Sequence, residues 1–317
     1  METTDLQQAP GWWRDQRAAA GLQVALDHIN EAREHADNDR PGSELEACES
    51  LFKALNQLAN SLQALMPAPE AGKVRSETSK HRALLTKLTT DARDRLVAHP
   101  AVRDLALFKP DILSHSQEGM SQSPLAELAE DVVHAASADH RHFRKAWQHW
   151  NESGSRSRDV FEALVPCVLV VRNNAAHGEK TRTGPDRERT RRNRDVAEVV
   201  LPVLTVLLDE ILDRPSTRLI AYGTLRLGQR NHGVITVTGT WRPATVQGVL
   251  TERCGLPAFV PDAAGQDVDA DLFESEHIGE IWPELDAFEG QNYPRRLCVC
   301  NGDEIAVANV YAATERT

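Results

Sequence analysis

The chain has 317 residues, a net charge of −11, 41% hydrophobic and 26% charged residues. That length suits two domains, and that apolar content suffices for real cores. The acidic balance argues against nucleic-acid binding by the surface as a whole, while leaving room for a local basic patch. Five cysteines (Cys48, Cys167, Cys254, Cys298, Cys300) show no metal-type spacing and read as reduced thiols. The segment Met1–Leu6 has neither the basic nor the apolar region of a signal peptide. No apolar run approaches the roughly 20 residues of a membrane span. A cytoplasmic protein without membrane contact is expected.

Residues 12–37 place Trp13, Ala20, Leu22, Ala25, Leu26, Ile29 and Ala32 at helical spacing. After a break at Arg40-Pro41-Gly42, Ser43 and Glu46 fit a capping box that opens a helix running to Leu65. A third helical pattern covers about 77–96, and 109–123 read as loop. A helix over about 123–150 carries Trp147 and Trp150; its His140, His142 and His149 read as surface residues among core aromatics rather than metal ligands. The apolar run Val168–Val171 lies in a helix over about 159–177 that ends at Gly178. A basic loop then leads to a last helix over 196–212. Residues 1–215 are thus expected to form an all-α helical bundle of about six helices. From 216 the pattern changes to short apolar runs between Gly, Pro and Asp: 219–221, 234–237, 246–250, 258–260, 297–299 and 305–311. Residues 216–317 therefore read as a small β-rich domain.

Within that domain, Leu219-Ile220-Ala221 runs into Tyr222-Gly223-Thr224-Leu225-Arg226. A glycine-bearing loop at a strand end presents consecutive backbone N–H groups to a ligand. With Gly228, Asn231 and His232, with Val246–Leu250 and Leu256–Val260, with Leu285-Asp286-Ala287-Phe288-Glu289-Gly290 followed by Tyr293 and Arg295, and with Val307–Tyr311, the segment resembles the gamma-glutamylcyclotransferase-like family, AIG2-like branch. The resemblance implies a β-barrel and a reaction in which the α-amine of a γ-glutamyl substrate attacks its own γ-carbonyl, giving 5-oxoproline. It implies no cofactor. Glu289 matches the family's acid/base, a task for a carboxyl of raised pKa. Phe288 is the neighbour expected to desolvate it. The amides of Gly223, Thr224 and Leu225 are the expected donors to the substrate, with Tyr222 beside them. Arg226, Tyr293 and Arg295 are expected to bind its carboxylate or support the site. The plainer alternative is that Asp286 and Glu289 cap and solvate a short helix.

The helical half carries a second motif, Arg172-Asn173-Asn174-Ala175-Ala176-His177. It is followed by a segment, 179–194, with seven basic residues against three acidic ones. An Arg-x4-His pair on a helical bundle resembles the HEPN family, which implies metal-independent RNA cleavage at a homodimer cleft. His177 would move a proton and Arg172 would hold the scissile phosphate. Asn173, Lys180, Arg182, Arg191 and Arg192 would contact RNA. On an ideal helix the pair is roughly 140° apart, so convergence needs His177 at the helix end. The plainer alternative is a solvated basic loop. The combined expectation is a ribonuclease joined to a cyclotransferase-like domain that acts on, or senses, a γ-glutamyl small molecule. Alternatives are a plain cyclotransferase with a helical dimerisation domain, and a metabolite-sensing interaction protein without catalysis.

Overall fold

The structure is a computed structural model that describes residues 11–38, 40, 42–108, 125–154, 157–176, 187–253 and 255–313, with backbone alone at 125–137, 169–176, 187–195, 253 and 256. The chain forms two compact units. One takes in residues 31–210; the other joins residues 11–30 to the chain from Ile211 onward.

The first unit is helical: α1 (Ala19–Ala36, from Glu31), α2 (Ser43–Leu65), α3 (Ala68–Ala71), α4 (Glu77–Leu85), α5 (Thr90–Ala98), α6 (Pro100–Leu107), α7 (Leu125–Ser153), α8 (Ser157–Ala176) and α9 (Arg187–Ile211, to Glu210). α2 buries Leu45, Cys48, Leu51, Phe52, Leu55, Leu58 and Leu62, the stripe its periodicity predicts. The capping box is not formed. Gly42, in the left-handed region, occupies the cap position, and the Ser43 hydroxyl donates to the Asn38 carbonyl at 2.6 Å. Glu46 accepts from Arg40 instead.

The pattern over 77–96 is two helices, because Thr89 caps a new start by accepting from the Ala92 N–H at 3.1 Å. α6 was not foreseen. Its signals are Pro100 at the first turn and His99, whose ring accepts from the Ala101 N–H. The last helix begins at Arg187 rather than 196, so part of the basic segment is helical. In α7, Phe143 and Trp147 are buried on one face while His142 and His149 are exposed.

The second unit is built on six strands: β1 (Arg218–Ala221), β2 (Thr240–Arg253), β3 (Leu256–Pro261), β4 (Gln266–Glu274), β5 (Arg295–Asn301) and β6 (Ile305–Tyr311). Their order is β3-β2-β4-β1-β6-β5, and β5 returns to β2 through Thr245↔Asn301 and Val246↔Cys300. Five strands thus close a barrel, and β3 is the outer arm of a hairpin with β2. β1 is parallel to β6; the other pairs are antiparallel.

The interior is lined by alternate residues of each strand, among them Ile220, Val246, Ala270, Leu272, Cys298, Cys300, Ala308 and Val310. A barrel of so few strands is narrow, and Ala and Cys fill it without crowding. Burial pushes the thiols of Cys298 and Cys300 up to about 12 and about 11. β4 was missed in the sequence, although Val268, Ala270 and Leu272 alternate with aspartates. Residues 234–237 are not a strand: His232–Val234 is a short 3-10 turn.

A second apolar layer lies outside the barrel. Here α10 (Trp282–Glu289) packs Trp282 and Leu285 with Leu219, Phe273 and Tyr311.

The segment 11–30, read in the sequence with the helical half, packs in the barrel unit. Trp13 is 1% exposed, and its indole N–H donates to the Ile211 carbonyl at 3.1 Å. Arg14 pairs with Asp213 and Glu304, both at 3.0 Å. The side chain of Asn30 bonds both backbone groups of Leu297.

Candidate active site

β1 is buried at all four positions and delivers Tyr222 to the end of the strand. The chain then makes one 3-10 turn, Gly223–Leu225, and buries Leu225. Gly223 has φ +62°, and a Cβ there would lie 2.6 Å from Cγ of Pro257 on β3. Only glycine meets both demands, the left-handed backbone and the close approach. The first amides of a helical turn have no partner within it. The turn sets the N–H groups of Gly223, Thr224 and Leu225 one after another at the end of β1.

Two contacts hold this turn in place. Asn231 returns to it, its N–H donating to the Thr224 carbonyl and its side-chain amide to Thr224 Oγ1, each at 3.0 Å. Asp271 on β4 accepts from the Leu227 N–H at 3.1 Å and from Nε and Nη2 of Arg226, both at 3.3 Å. Arg226 is thus engaged by a carboxylate of the barrel itself. Sequence reasoning missed Asp271, Pro257 and the role of Asn231. For Asp271 the signal was its place in the alternation of β4, a strand not recognised.

Tyr222 lies against Phe259, ring centroids 5.5 Å apart, and its hydroxyl accepts from the Phe259 N–H at 3.4 Å. Burial raises the pKa of this phenol, and the nearby charges of Glu289 and Tyr293 raise it further.

α10 supplies two acidic side chains with different surroundings. Asp286 accepts from the Tyr311 hydroxyl at 2.7 Å and from Arg295 at 3.3 Å. The Arg295 guanidinium also stacks 4.3 Å above the Trp282 ring. Glu289 is the last residue of the helix. Gly290, at φ +74°, then turns the chain away, and the Tyr293 N–H donates to its carbonyl at 3.1 Å. The Glu289 carboxyl is partly buried, and among the described residues no hydrogen bond or ion pair is formed by it. Burial pushes its pKa from 4.5 up to about 7. A carboxyl that titrates there both accepts and returns a proton near neutrality. Phe288, the neighbour expected to desolvate it, is itself 46% exposed. The structure brings Glu289 and Tyr293 within electrostatic reach of Tyr222 and assigns Arg226 and Arg295 to ion pairs.

The helical motif is placed only in part. Arg172 and Asn173 fall in α8, and Arg191 and Arg192 fall in α9, by backbone alone. His177, Lys180 and Arg182 lie outside the described residues. Among the described residues, no helix is long and apolar enough to cross a membrane.

The family described as "Gamma-glutamyl cyclotransferase, AIG2-like" matches residues 219–317, about a third of the chain. Residues 219–317 thus carry an AIG2-like, gamma-glutamyl-cyclotransferase-like domain. Similar solved structures include YkqA from Bacillus subtilis, with 24% identity over 31% of this chain and 36% of that one, TM-score 0.27. An AIG2-like protein from Mus musculus shows 20% identity over 32% of this chain and 79% of that one, TM-score 0.28. A protein from Arabidopsis thaliana shows 19% identity over 32% and 70%, TM-score 0.27. The chain spans only about a third of YkqA. No curated protein matches.

Proposed function

We propose that the barrel domain cyclises a γ-glutamyl substrate, releasing 5-oxoproline and a free amine, with Glu289 as the acid/base. The observation that carries this is the partly buried carboxyl of Glu289, shifted to about 7, close to Tyr222 at the head of an amide-bearing turn. The ionised carboxyl takes a proton from the substrate α-ammonium. The freed amine attacks the γ-carbonyl carbon, closing a five-membered ring, and negative charge develops on the carbonyl oxygen. The C–N bond to the departing amine then breaks as protonated Glu289 gives its proton to that nitrogen. The carboxylate so restored takes the second proton of the ring nitrogen, leaving the neutral lactam, and passes it to the released amine, which departs as an ammonium. No water is consumed. The amides of Gly223–Leu225 serve the substrate's anionic groups. Arg226 and Arg295, each paired with an aspartate, hold the turn and α10 in position.

The test is release of 5-oxoproline from γ-glutamyl dipeptides and γ-glutamyl amines by the wild-type chain and by Glu289→Gln. Release by wild type and its loss in the variant support the proposal; no release from any of them leaves the pocket as a sensor.

For the helical half, the proposal of RNA cleavage by Arg172 and His177 rests on the Arg-x4-His spacing and the adjoining basic segment. Incubation with total RNA tests it, and cutting by His177→Ala as fast as by wild type would defeat it.

A further inference from the structure

β6 ends at Tyr311, and the two residues after it continue toward the pieces that carry the candidate site. β1 and β6 run parallel in the register Ile220↔Val310, so Tyr222 and Tyr311 leave the sheet at the same end of the barrel. Tyr311 is 2% exposed, and its hydroxyl donates to Asp286 Oδ1 at 2.7 Å, one turn before Glu289 on α10. Its cross-strand partner Arg295 donates to the other oxygen of that carboxylate at 3.3 Å. The Ala312 N–H donates to the carbonyl of Pro294, between Tyr293 and Arg295, at 3.2 Å. The Ala313 N–H donates to the Phe259 carbonyl at 2.7 Å, and the N–H of the same Phe259 donates to the Tyr222 hydroxyl at 3.4 Å.

Both backbone groups of Phe259 thus face away from β2. In a strand that direction recurs at every second residue, so positions 257 and 261 share it. Both are proline, which has no N–H to offer. Among these three positions Phe259 supplies the one N–H, and Tyr222 takes it. Ala312 and Ala313 are buried, which strengthens the bonds their amides make. Three consecutive residues therefore reach α10, the segment Tyr293–Arg295 and β3, and through Phe259 they reach Tyr222. Glu289 has no such tie of its own among the described residues, so the place of its carboxyl is set by the helix that carries it. Its charge is felt by both phenols, Tyr222 and Tyr311, at the ends of the two parallel strands.

We propose that residues 311–313 are a positioning strap for the active site: they fix the last turn of α10, the segment Tyr293–Arg295 and Tyr222 relative to one another, and so set where the Glu289 carboxyl stands. Tyr311 is a positioning residue that acts through Asp286. The proposal rests on the cyclisation reading for what Glu289 does, but not for how it is held.

The test follows the Glu289 carboxyl by carbon NMR in the full chain, its signal assigned by its absence from Glu289→Gln. Tyr311→Phe removes the hydroxyl and keeps the ring; Ala313→Pro removes the N–H that reaches Phe259. Wild type should titrate near 7. Both variants should titrate about one pH unit or more below it, because a loosened carboxyl gains water. Tyr311→Phe should also lower kcat for 5-oxoproline release about tenfold with KM little changed, through misplacement of the carboxyl. In a Glu289→Gln background it should cost nothing further, since both changes act on one group. A tie that only stabilises the fold would lower the melting temperature, leave the titration in place and slow both backgrounds alike. A Tyr311→Phe protein that keeps the wild-type titration, or that loses activity equally in both backgrounds, would overturn the proposal. So would a wild-type carboxyl that titrates near 4.5. Tyr311→Phe decides the matter should Ala313→Pro fail to fold. If wild type releases no 5-oxoproline while the titration still moves in Tyr311→Phe, the strap stands and only the cyclisation reading falls.

Discussion

Asp286 and Glu289 sit three residues apart on α10 and carry the same functional group, yet their surroundings give them different work. Asp286 is held by the Tyr311 hydroxyl and by Arg295, which is itself stacked on Trp282. Those partners fasten α10 to the barrel. Glu289 is partly buried, and its pKa is displaced upward by burial alone. A carboxylate with a hydrogen-bond donor and a cation is a structural tie. A carboxyl that is desolvated without them is poised to exchange a proton. In a linear motif the two are equivalent; only the fold separates them.

The sharpest way to break this contrast is to neutralise each carboxyl in turn. Glu289→Gln should lower kcat for 5-oxoproline release by about 10²–10⁴, the usual contribution of a general acid/base. It should not lower stability. Because the folded-state pKa is raised, ionising Glu289 costs the native state stability as pH climbs from about 4.5 to about 7. Wild type should therefore lose melting temperature across that window relative to Glu289→Gln, and a variant that melts lower above pH 7 would contradict the assignment.

Asp286→Asn should do the reverse. It should cost about 1.5–3 kcal/mol by urea unfolding, the range for hydrogen bonds to a charged group, with kcat changed far less than in Glu289→Gln.

Asn30→Ala extends the structural side of the comparison. It leaves the Leu297 N–H and C=O without their side-chain partner at a buried position, at a cost of about 1–3 kcal/mol. Urea unfolding followed by far-UV circular dichroism and tryptophan fluorescence reads this, and an unchanged midpoint would show that the α1 contact contributes nothing.

Gly223→Ala tests the functional side at smaller scale. The left-handed conformation costs an alanine about 1–2 kcal/mol, and its Cβ would sit 2.6 Å from Pro257. The turn should shift and kcat/KM fall, while the barrel core remains folded by far-UV circular dichroism.

Much of the barrel domain was legible because its motifs combine local backbone demands with composition. Gly223 after a buried strand, and Glu289 before Gly290, announce a turn and a helix end wherever they occur. β4 was hidden because Asp267, Asp269 and Asp271 lower its mean hydropathy, although its alternation is regular and Asp271 turns out to anchor Arg226. The Asp286–Tyr311 bond joins residues 25 apart and leaves no trace in spacing. Nor does the placement of residues 11–30 with the barrel, which depends on contacts with Ile211, Asp213 and Leu297, between 198 and 267 residues away. In the helical half, periodicity found α2 because one stripe is buried along its whole length. It ran α4 and α5 together because Thr89, a cap, falls within an otherwise continuous apolar pattern.

The pH dependence of kcat/KM for 5-oxoproline release tests the central assignment most directly. An acidic limb with an apparent pKa near 7, absent from the residual activity of Glu289→Gln, is the expected result. A limb near 4.5, or the same limb in the variant, would show that Glu289 is an ordinary surface carboxylate and that the proton is carried by another group.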